Sequence, residues 1–390
     1  MASKRIFENT EVAFSLKSDL ELQRAYTLFR MMSSAALVKA GTALTKLAFR
    51  WHLPIDRLVR LSVFDHFCGG VNEKDCMPTI DKMYTKNVHS VLDYSAEGKE
   101  VEEQFDLAME KTLNTIKFGT ERKSIPFAVF KPTGFGKLSL YQKMTEGEPL
   151  SAHEEIEWKR IKERYDIVSK AAFERDVPLL IDAEETWMQG AADDLIEAMM
   201  KEYNTKKVIV YGTLQLYRWD RLDYLIDLHK RAQEQGFKIG MKLVRGAYME
   251  KERARAEEFG YKDPICKNKE ATDKMFDDVL AYMFKNIDDM SIFAGTHNEE
   301  SSYLLMDLIA KSGLDKNDKR IWFGQLYGMS DHISYNLAKE GFNVAKYLPF
   351  GPVKDVMPYL IRRAEENTSV AGQTNRELDL ISIEKKRRKL

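Results

Sequence analysis

Eight short apolar runs punctuate the chain from about residue 87 onward: Val88–Tyr94, Pro126–Lys131, Pro178–Asp182, Val208–Gln215, Lys238–Val244, Ser291–His297, Arg320–Gln325 and Phe342–Tyr347. Between them lie longer stretches in which apolar residues recur every three or four positions, among them Lys99–Phe118, Glu154–Arg175, Ala191–Tyr203, Arg221–Gln235, Ala271–Ile287 and Glu300–Ser312. The short runs read as buried strands and the amphipathic stretches as crossover helices joining parallel neighbours. Eight such units close most naturally into an α/β barrel of the (β/α)8, TIM type. An open doubly wound sheet is the alternative, but no early strand leads into G-x-G-x-x-G. Gly134-Phe135-Gly136-Lys137 has neither that spacing nor the phosphate-loop spacing, and reads as a turn.

The first 85 or so residues are helical in pattern, over Leu20–Met32, Ser34–Arg50 and Ile55–Val63, with no strand signal. The expected organisation is an N-terminal helical region over residues 1–85, a barrel over 86–370 and a polar tail over 371–390. The tail reads as irregular, and its basic run Lys385, Lys386, Arg387, Arg388 and Lys389 as a solvated, mobile terminus, with contact to an anionic membrane as the alternative.

Composition adds exclusions. Lys+Arg 60 against Asp+Glu 61 leaves no basic field, which argues against nucleic acid as a partner. Cys68, Cys76 and Cys266 are too few for a disulfide framework and match no zinc spacing with the histidines, so no metal is expected. Met1–Thr10 lacks the apolar core of a signal peptide, and Ala35–Phe49 is interrupted by Lys39 and Lys46, too short and too charged to span a bilayer. The expectation is a soluble, cytoplasmic chain.

In a barrel of this kind, reacting groups come from the C-terminal ends of the strands. Read in order, those ends carry Asp93 with Glu97 beyond it, Lys131, Asp182-Ala183-Glu184-Glu185, Gln215, Lys242-Leu243-Val244-Arg245-Gly246-Ala247-Tyr248, Thr296-His297-Asn298, Gln325 and Tyr347. A predicted helix then follows with Arg362 and Arg363 side by side. Guanidinium groups cannot shed their charge, so two together invite an anion, and a carboxylate suits their paired donors. Lys131, Arg362 and Arg363 could surround a substrate carboxylate, with Glu97 and Asp182 balancing the charge. Lys242, Arg245, Gly246, Gln215, Thr296, His297 and Asn298 resemble a cradle for a polar cofactor bearing phosphates. Structural readings stand beside these: Lys242 and Arg245 paired with Glu184 and Glu185, His297 as a hydrogen-bonded core histidine, Tyr248 and Tyr347 as packing aromatics.

Asp182-Ala183-Glu184-Glu185, Lys242 to Tyr248, Thr296-His297-Asn298 and the block from Tyr347 to Asn367 together resemble proline dehydrogenase, in order over roughly residues 85–370. The resemblance implies a distorted (β/α)8 barrel holding FAD and oxidising L-proline to Δ1-pyrroline-5-carboxylate, with electrons passed to a membrane quinone. It implies that Lys131, Arg362 and Arg363 bind the proline carboxylate, and that Glu97 pairs with Arg362 to close the site. Asp182 shapes the site and Tyr347 packs on the ring. The resemblance also implies that Gln215, Lys242, Arg245, Gly246, Ala247, Tyr248, Thr296, His297, Asn298 and Glu366 contact FAD. Many bacterial members carry Arg where this chain has Lys242, while the mitochondrial type has Lys. Tyr347 favours proline over hydroxyproline. Membrane contact would be peripheral, at the inner face, and a pyrroline-5-carboxylate dehydrogenase is left open as a partner. A methylenetetrahydrofolate reductase-like flavin barrel and a non-catalytic carboxylate-binding barrel are the competing readings.

Overall fold

The computed structural model describes residues 5–51, 59–94, 100–369 and 371–390. Helices α1 (Thr10–Ala13), α2 (Asp19–Met32), α3 (Ala35–Arg50) and α4 (Glu73–Tyr84) precede β1 (Val88–Tyr94). There follow α5 (Glu102–Glu121), β2 (Ala128–Phe130), α6 (Leu138–Glu146), α7 (Ala152–Arg175), β3 (Leu179–Ile181), α8 (Thr186–Tyr203), β4 (Val210–Gln215), α9 (Arg221–Gln235) and β5 (Ile239–Val244). The chain continues through α10 (Met249–Phe259), α11 (Lys269–Lys285), β6 (Met290–Gly295), α12 (Glu299–Ser312), β7 (Ile321–Leu326), α13 (Asp331–Lys339), β8 (Val344–Phe350), α14 (Val353–Ser369) and α15 (Ala371–Arg388). All eight expected strands are present. Of the expected helix Ile55–Val63, residues 55–58 lie outside the described residues, and Val59–Val63 is helical.

The strands form one sheet in the order β1-β8-β7-β6-β5-β4-β3-β2. A doubly wound sheet reverses its order at a switch point, so that alternative is excluded. Unreversed order with right-handed crossovers sends every helix to one face. The other face is buried only if the sheet curls on itself. The pairing of β8 with β1, in parallel register from Val88↔Val344 to Tyr94↔Phe350, is that closing contact. The fold is an α/β barrel of the TIM type.

The chain divides into two compact units, Gly98–Phe323 and Met1–Glu97 with Gly324–Leu390. In the first, parallel pairs join β2 through β6, and the strand residues are almost all buried, which is why these runs are apolar without alternation. Phe127 at the entry to β2 meets Tyr211 of β4 and Phe293 of β6 edge-on, at centroid distances of 5.8 and 5.2 Å. Side chains from alternate strands filling one layer are the interior of a packed barrel.

In the second unit α14 is seated by Val353, Val356, Met357 and Leu360, one helical face, against a cluster that includes Leu28, Met32, Phe64 and Phe67. The segment after residue 370, expected to be irregular, is the helix α15. Its Leu380 and Ile381 pack with Ala13, Phe14, Leu22, Ala25 and Phe29. Nor is the basic run a free terminus. Arg387 and Arg388 bond Glu384, Arg388 also donates to the carbonyls of Phe14 and Lys17, and the Lys385 ammonium lies 4.3 Å from the Tyr26 ring centroid.

Candidate active site

In the unit Gly98–Phe323 most of the expected residues sit at or just past strand ends. Lys131 follows β2, Asp182 follows β3, Gln215 ends β4, Lys242 lies two residues from the end of β5, and Thr296-His297-Asn298 follow β6. Asp182 is clasped from both sides: Lys131 Nζ donates to Oδ2 at 3.0 Å and Lys242 Nζ to Oδ1. The Asp182 N–H donates to the Phe130 carbonyl at 3.0 Å, fixing the loop beside β2. Burial pushes the Asp182 carboxyl up, but Lys131 and Lys242 outweigh it and hold it down at about 2.

Glu184, two residues on, is shifted the other way. Burial drives its carboxyl up to about 7, against hydrogen bonds from the Thr133 N–H at 2.9 Å and hydroxyl at 2.7 Å that favour ionisation. Through Thr133 it ties the loop after Lys131 to the loop after Asp182. Its N–H donates to Gln189 Oε1 at 3.0 Å, and its carbonyl accepts from Gln215 Nε2 at 2.8 Å. The structural alternative for this acidic pair is corrected: Lys242 pairs with Asp182, Arg245 with Asp273, and Glu185 with Lys251. Glu184 as the brace between two site loops was not foreseen, because a carboxylate held by a threonine leaves no spacing signal.

Arg245 is fixed on three sides. Its Nε donates to Asp273 at 2.7 Å, Nη1 to the Thr296 hydroxyl at 2.7 Å and Nη2 to the Ser301 hydroxyl at 2.9 Å, with the guanidinium 4.4 Å from the Phe276 centroid. Gly246 has φ +116°, and a Cβ there would lie 2.4 Å from the Tyr217 ring, so only glycine fits. Gly246 and Ala247 are exposed, and Tyr248, half-buried, precedes α10. Thr296 is buried and His297 half-buried, while Asn298 caps α12, its side-chain oxygen accepting from the Ser301 N–H at 3.0 Å.

Buried Gln215 keeps Nε2 engaged while Oε1 has no hydrogen-bond partner among the described residues. Such an orphan costs about 1–3 kcal/mol, and the imide N–H of a flavin ring would satisfy it. With Arg245 and the open glycine backbone to receive phosphates, these residues fit a flavin nucleotide.

In the other unit, Tyr347 is a buried residue of β8 whose carbonyl accepts from the Tyr327 N–H at 2.8 Å. On α14, Arg363 is buried with its guanidinium 5.3 Å from the centroid of Tyr359, one turn back, and Arg362 is half-buried. Glu366 belongs to the same helix, but its side chain lies outside the described residues, as does Glu97 altogether. Among the described residues no cluster of His, Cys, Asp or Glu could hold a metal ion.

Residues 76–376 match the family described as proline dehydrogenase. The chain belongs to the proline dehydrogenase family. Membership makes it an oxidoreductase and implies a flavin cofactor. The carbapenem antibiotics biosynthesis protein CarD of Pectobacterium carotovorum subsp. carotovorum is 36% identical over 322 residues, 83% of each chain. Proline dehydrogenase 1, mitochondrial, of Homo sapiens is 39% identical over 248 residues, 62% of this chain and 41% of the relative, so the match spans about two fifths of that protein. Among solved structures, proline utilization A (PutA) from Bdellovibrio bacteriovorus, inactivated by N-propargylglycine, shares the fold with a TM-score of 0.70 at 20% identity, covering 93% of this chain and 37% of that one.

Proposed function

We propose that the chain oxidises L-proline to Δ1-pyrroline-5-carboxylate with FAD as its cofactor, as the first step of proline catabolism to glutamate, and that the electrons pass on to a membrane quinone. The observation that supports this reading is the gathering of Lys131, Asp182 and Lys242 at strand ends that also carry Gln215, whose buried Oε1 has no hydrogen-bond partner among the described residues. Lysine ammonium groups suit a carboxylate and the Gln215 acceptor suits an N–H donor, and an amino acid and a flavin supply them.

Arg362, Arg363 and Lys131 are assigned to the substrate carboxylate, through charge-assisted and, for arginine, paired hydrogen bonds. Glu97 is assigned to pair with Arg362 and close the site. Holding the carboxylate decides which ring carbon is presented for oxidation, and this positioning is the protein's main contribution. FAD, when bound, supplies the hydride acceptor. Gln215, Lys242, Arg245, Gly246, Ala247, Tyr248, Thr296, His297, Asn298 and Glu366 are the residues assigned to hold it. Proline's secondary ammonium has no lone pair, so it must lose a proton before C5 gives up hydride and the C5=N bond forms. The cationic cluster of Arg362, Arg363 and Lys131 favours that loss, the proton leaving to solvent. Asp182, its carboxyl held low, keeps Lys131 and Lys242 in place and takes no proton. Tyr347 is assigned to the ring of proline, where it leaves little room for a hydroxyl.

No helix among the described residues is long and apolar enough to cross a membrane. Contact with the quinone's membrane is proposed as peripheral, at the inner face, and a pyrroline-5-carboxylate dehydrogenase is the proposed consumer of the product. Adding proline anaerobically to the purified protein tests the reading: the flavin absorbance should bleach, and acid should release FAD. A flavin band unmoved by proline would overturn it.

A further inference from the structure

Over the side chains described, those of residues 35–45, helix α3 is amphipathic the wrong way round. The half-buried positions among them are Val38, Thr42 and Thr45, one stripe of a helix that packs against α2 and α14. The larger apolar residues face outward: Leu37 is 58% exposed and Leu44, two turns on, is 67% exposed. Trp51, a further seven residues along, is 63% exposed. Ala36, Ala40, Gly41 and Ala43 are exposed with them, and a Cβ at Gly41 would meet nothing within 4 Å. A surface helix ordinarily turns its leucines inward and its threonines out. One exposed leucine needs no explanation, but Leu37 and Leu44 with the exposed small residues between them form an apolar face that does.

Charge narrows what covers this face. From Ala35 to Trp51 there is no acidic residue, while Lys39, Lys46 and Arg50 are basic. A second copy docking the same segment would set basic residues against basic residues with no acidic partner from it, since a two-fold interface is self-complementary only when its charges are. An apolar stripe on a segment whose charged residues are all basic matches the interface of an anionic bilayer.

We propose that α3 is the surface by which the protein lies on an anionic lipid membrane, Leu37, Leu44 and Trp51 entering the interface and Lys39 staying at headgroup level. The inference deepens the quinone reading above and rests on it for its purpose. It also has a structural consequence, because α3 packs on α14, the helix that carries Arg362 and Arg363.

The test uses the full chain with vesicles of phosphatidylcholine, alone or with phosphatidylglycerol added. Wild type should sediment with the anionic vesicles only, less so in high salt, and Leu37→Glu/Leu44→Glu should weaken binding by about tenfold or more. Proline-dependent reduction of a soluble dye should be unchanged in that variant, whose altered side chains are exposed and remain compatible with folding. Wild type that ignores anionic vesicles, or a variant that binds them equally well, would overturn the proposal. So would a wild-type dimer in sedimentation velocity that the variant dissolves, since the face would then belong to a second copy. Dye reduction needs no membrane: vesicle binding without it would sink the proposed activity and leave the lipid surface standing.

Discussion

Each compact unit holds an aspartate clasped by two lysines, and the two trios have different surroundings. In one, Asp331 at the start of α13 receives Lys346 Nζ at 2.8 Å and Lys17 Nζ at 3.1 Å. In the other, Asp182 receives Lys131 and Lys242. Burial pushes both carboxyls up, and in both the lysines win and hold the carboxyl well below its ordinary range. The difference lies in what else the members touch. Lys346 is wholly buried and also donates to the Met329 carbonyl at 2.6 Å, and burial lowers its pKa. That trio joins the segment after α1, the start of α13 and the middle of β8. The Asp182 trio draws its members from the ends of three strands and keeps some surface open on each side chain. A set of charges does not locate an active site; its place along the strands does.

Removing each aspartate should pull the trios apart. Asp331→Ala leaves Lys346 buried with its carboxylate gone, so unfolding in urea should show a loss of about 3–5 kcal/mol, with the KM for proline of the folded fraction unchanged. Asp182→Ala should lose less stability and most of its turnover. Equal stability losses, with activity spared or lost in both, would break the distinction. Next in size, Arg362→Ala or Arg363→Ala should retain FAD but weaken proline binding by about 2–5 kcal/mol, as when one partner of a buried charge pair is removed. An unchanged KM for proline in either variant would remove the arginines from the carboxylate.

The neighbours Asp182 and Glu184 sharpen the comparison through pH, because their shifts have opposite signs. The Asp182 carboxyl is depressed, so its stabilisation is complete above the unfolded value of about 3.9 and is lost as pH falls toward about 2. The Glu184 carboxyl is raised from 4.5 to about 7. Between those values the unfolded chain releases a proton that the folded chain keeps, so stability falls as pH rises, by about 3 kcal/mol in all. Glu184→Gln should flatten that decline in urea midpoints measured from about pH 4.5 to about pH 7. A decline that persists in the variant would place the titrating group elsewhere.

The barrel was legible because buried parallel strands are apolar throughout and cannot be mistaken for their amphipathic crossovers. Helix α15 was not, because its buried stripe is Thr374, Glu377, Leu380, Ile381 and Glu384, with two glutamates that no apolar pattern reveals. Glu384 is matched there by Arg387 and Arg388, and Glu377 accepts from the Ser330 N–H. Helix α10, Met-Glu-Lys-Glu-Arg-Ala-Arg-Ala-Glu-Glu-Phe, escaped for a similar reason: only Glu252 and Ala256 of it are buried. At the site, strand ends announced Lys131, Asp182 and Lys242. Two of the three partners that fix Arg245 sit on α11 and α12, where nothing in a single sequence marks Asp273 or Ser301 as its neighbours.

The smallest expected effect concerns substrate choice, and it asks whether a buried strand residue belongs to the site or to the core. Tyr347 lies on β8 one residue past Lys346, and successive residues of a strand point to opposite faces. Lys346 donates to Met329 and Asp331, so Tyr347 faces the other way. If that side receives the proline ring, Tyr347→Ser opens room for a hydroxyl, and the ratio of kcat/KM for hydroxyproline over proline should rise by about tenfold, the usual worth of one pocket contact. A core role predicts something else, a stability loss of about 3–5 kcal/mol with selectivity unmoved, because a large buried ring would be traded for a cavity. Measuring both quantities on the one variant decides which face of β8 the substrate sees.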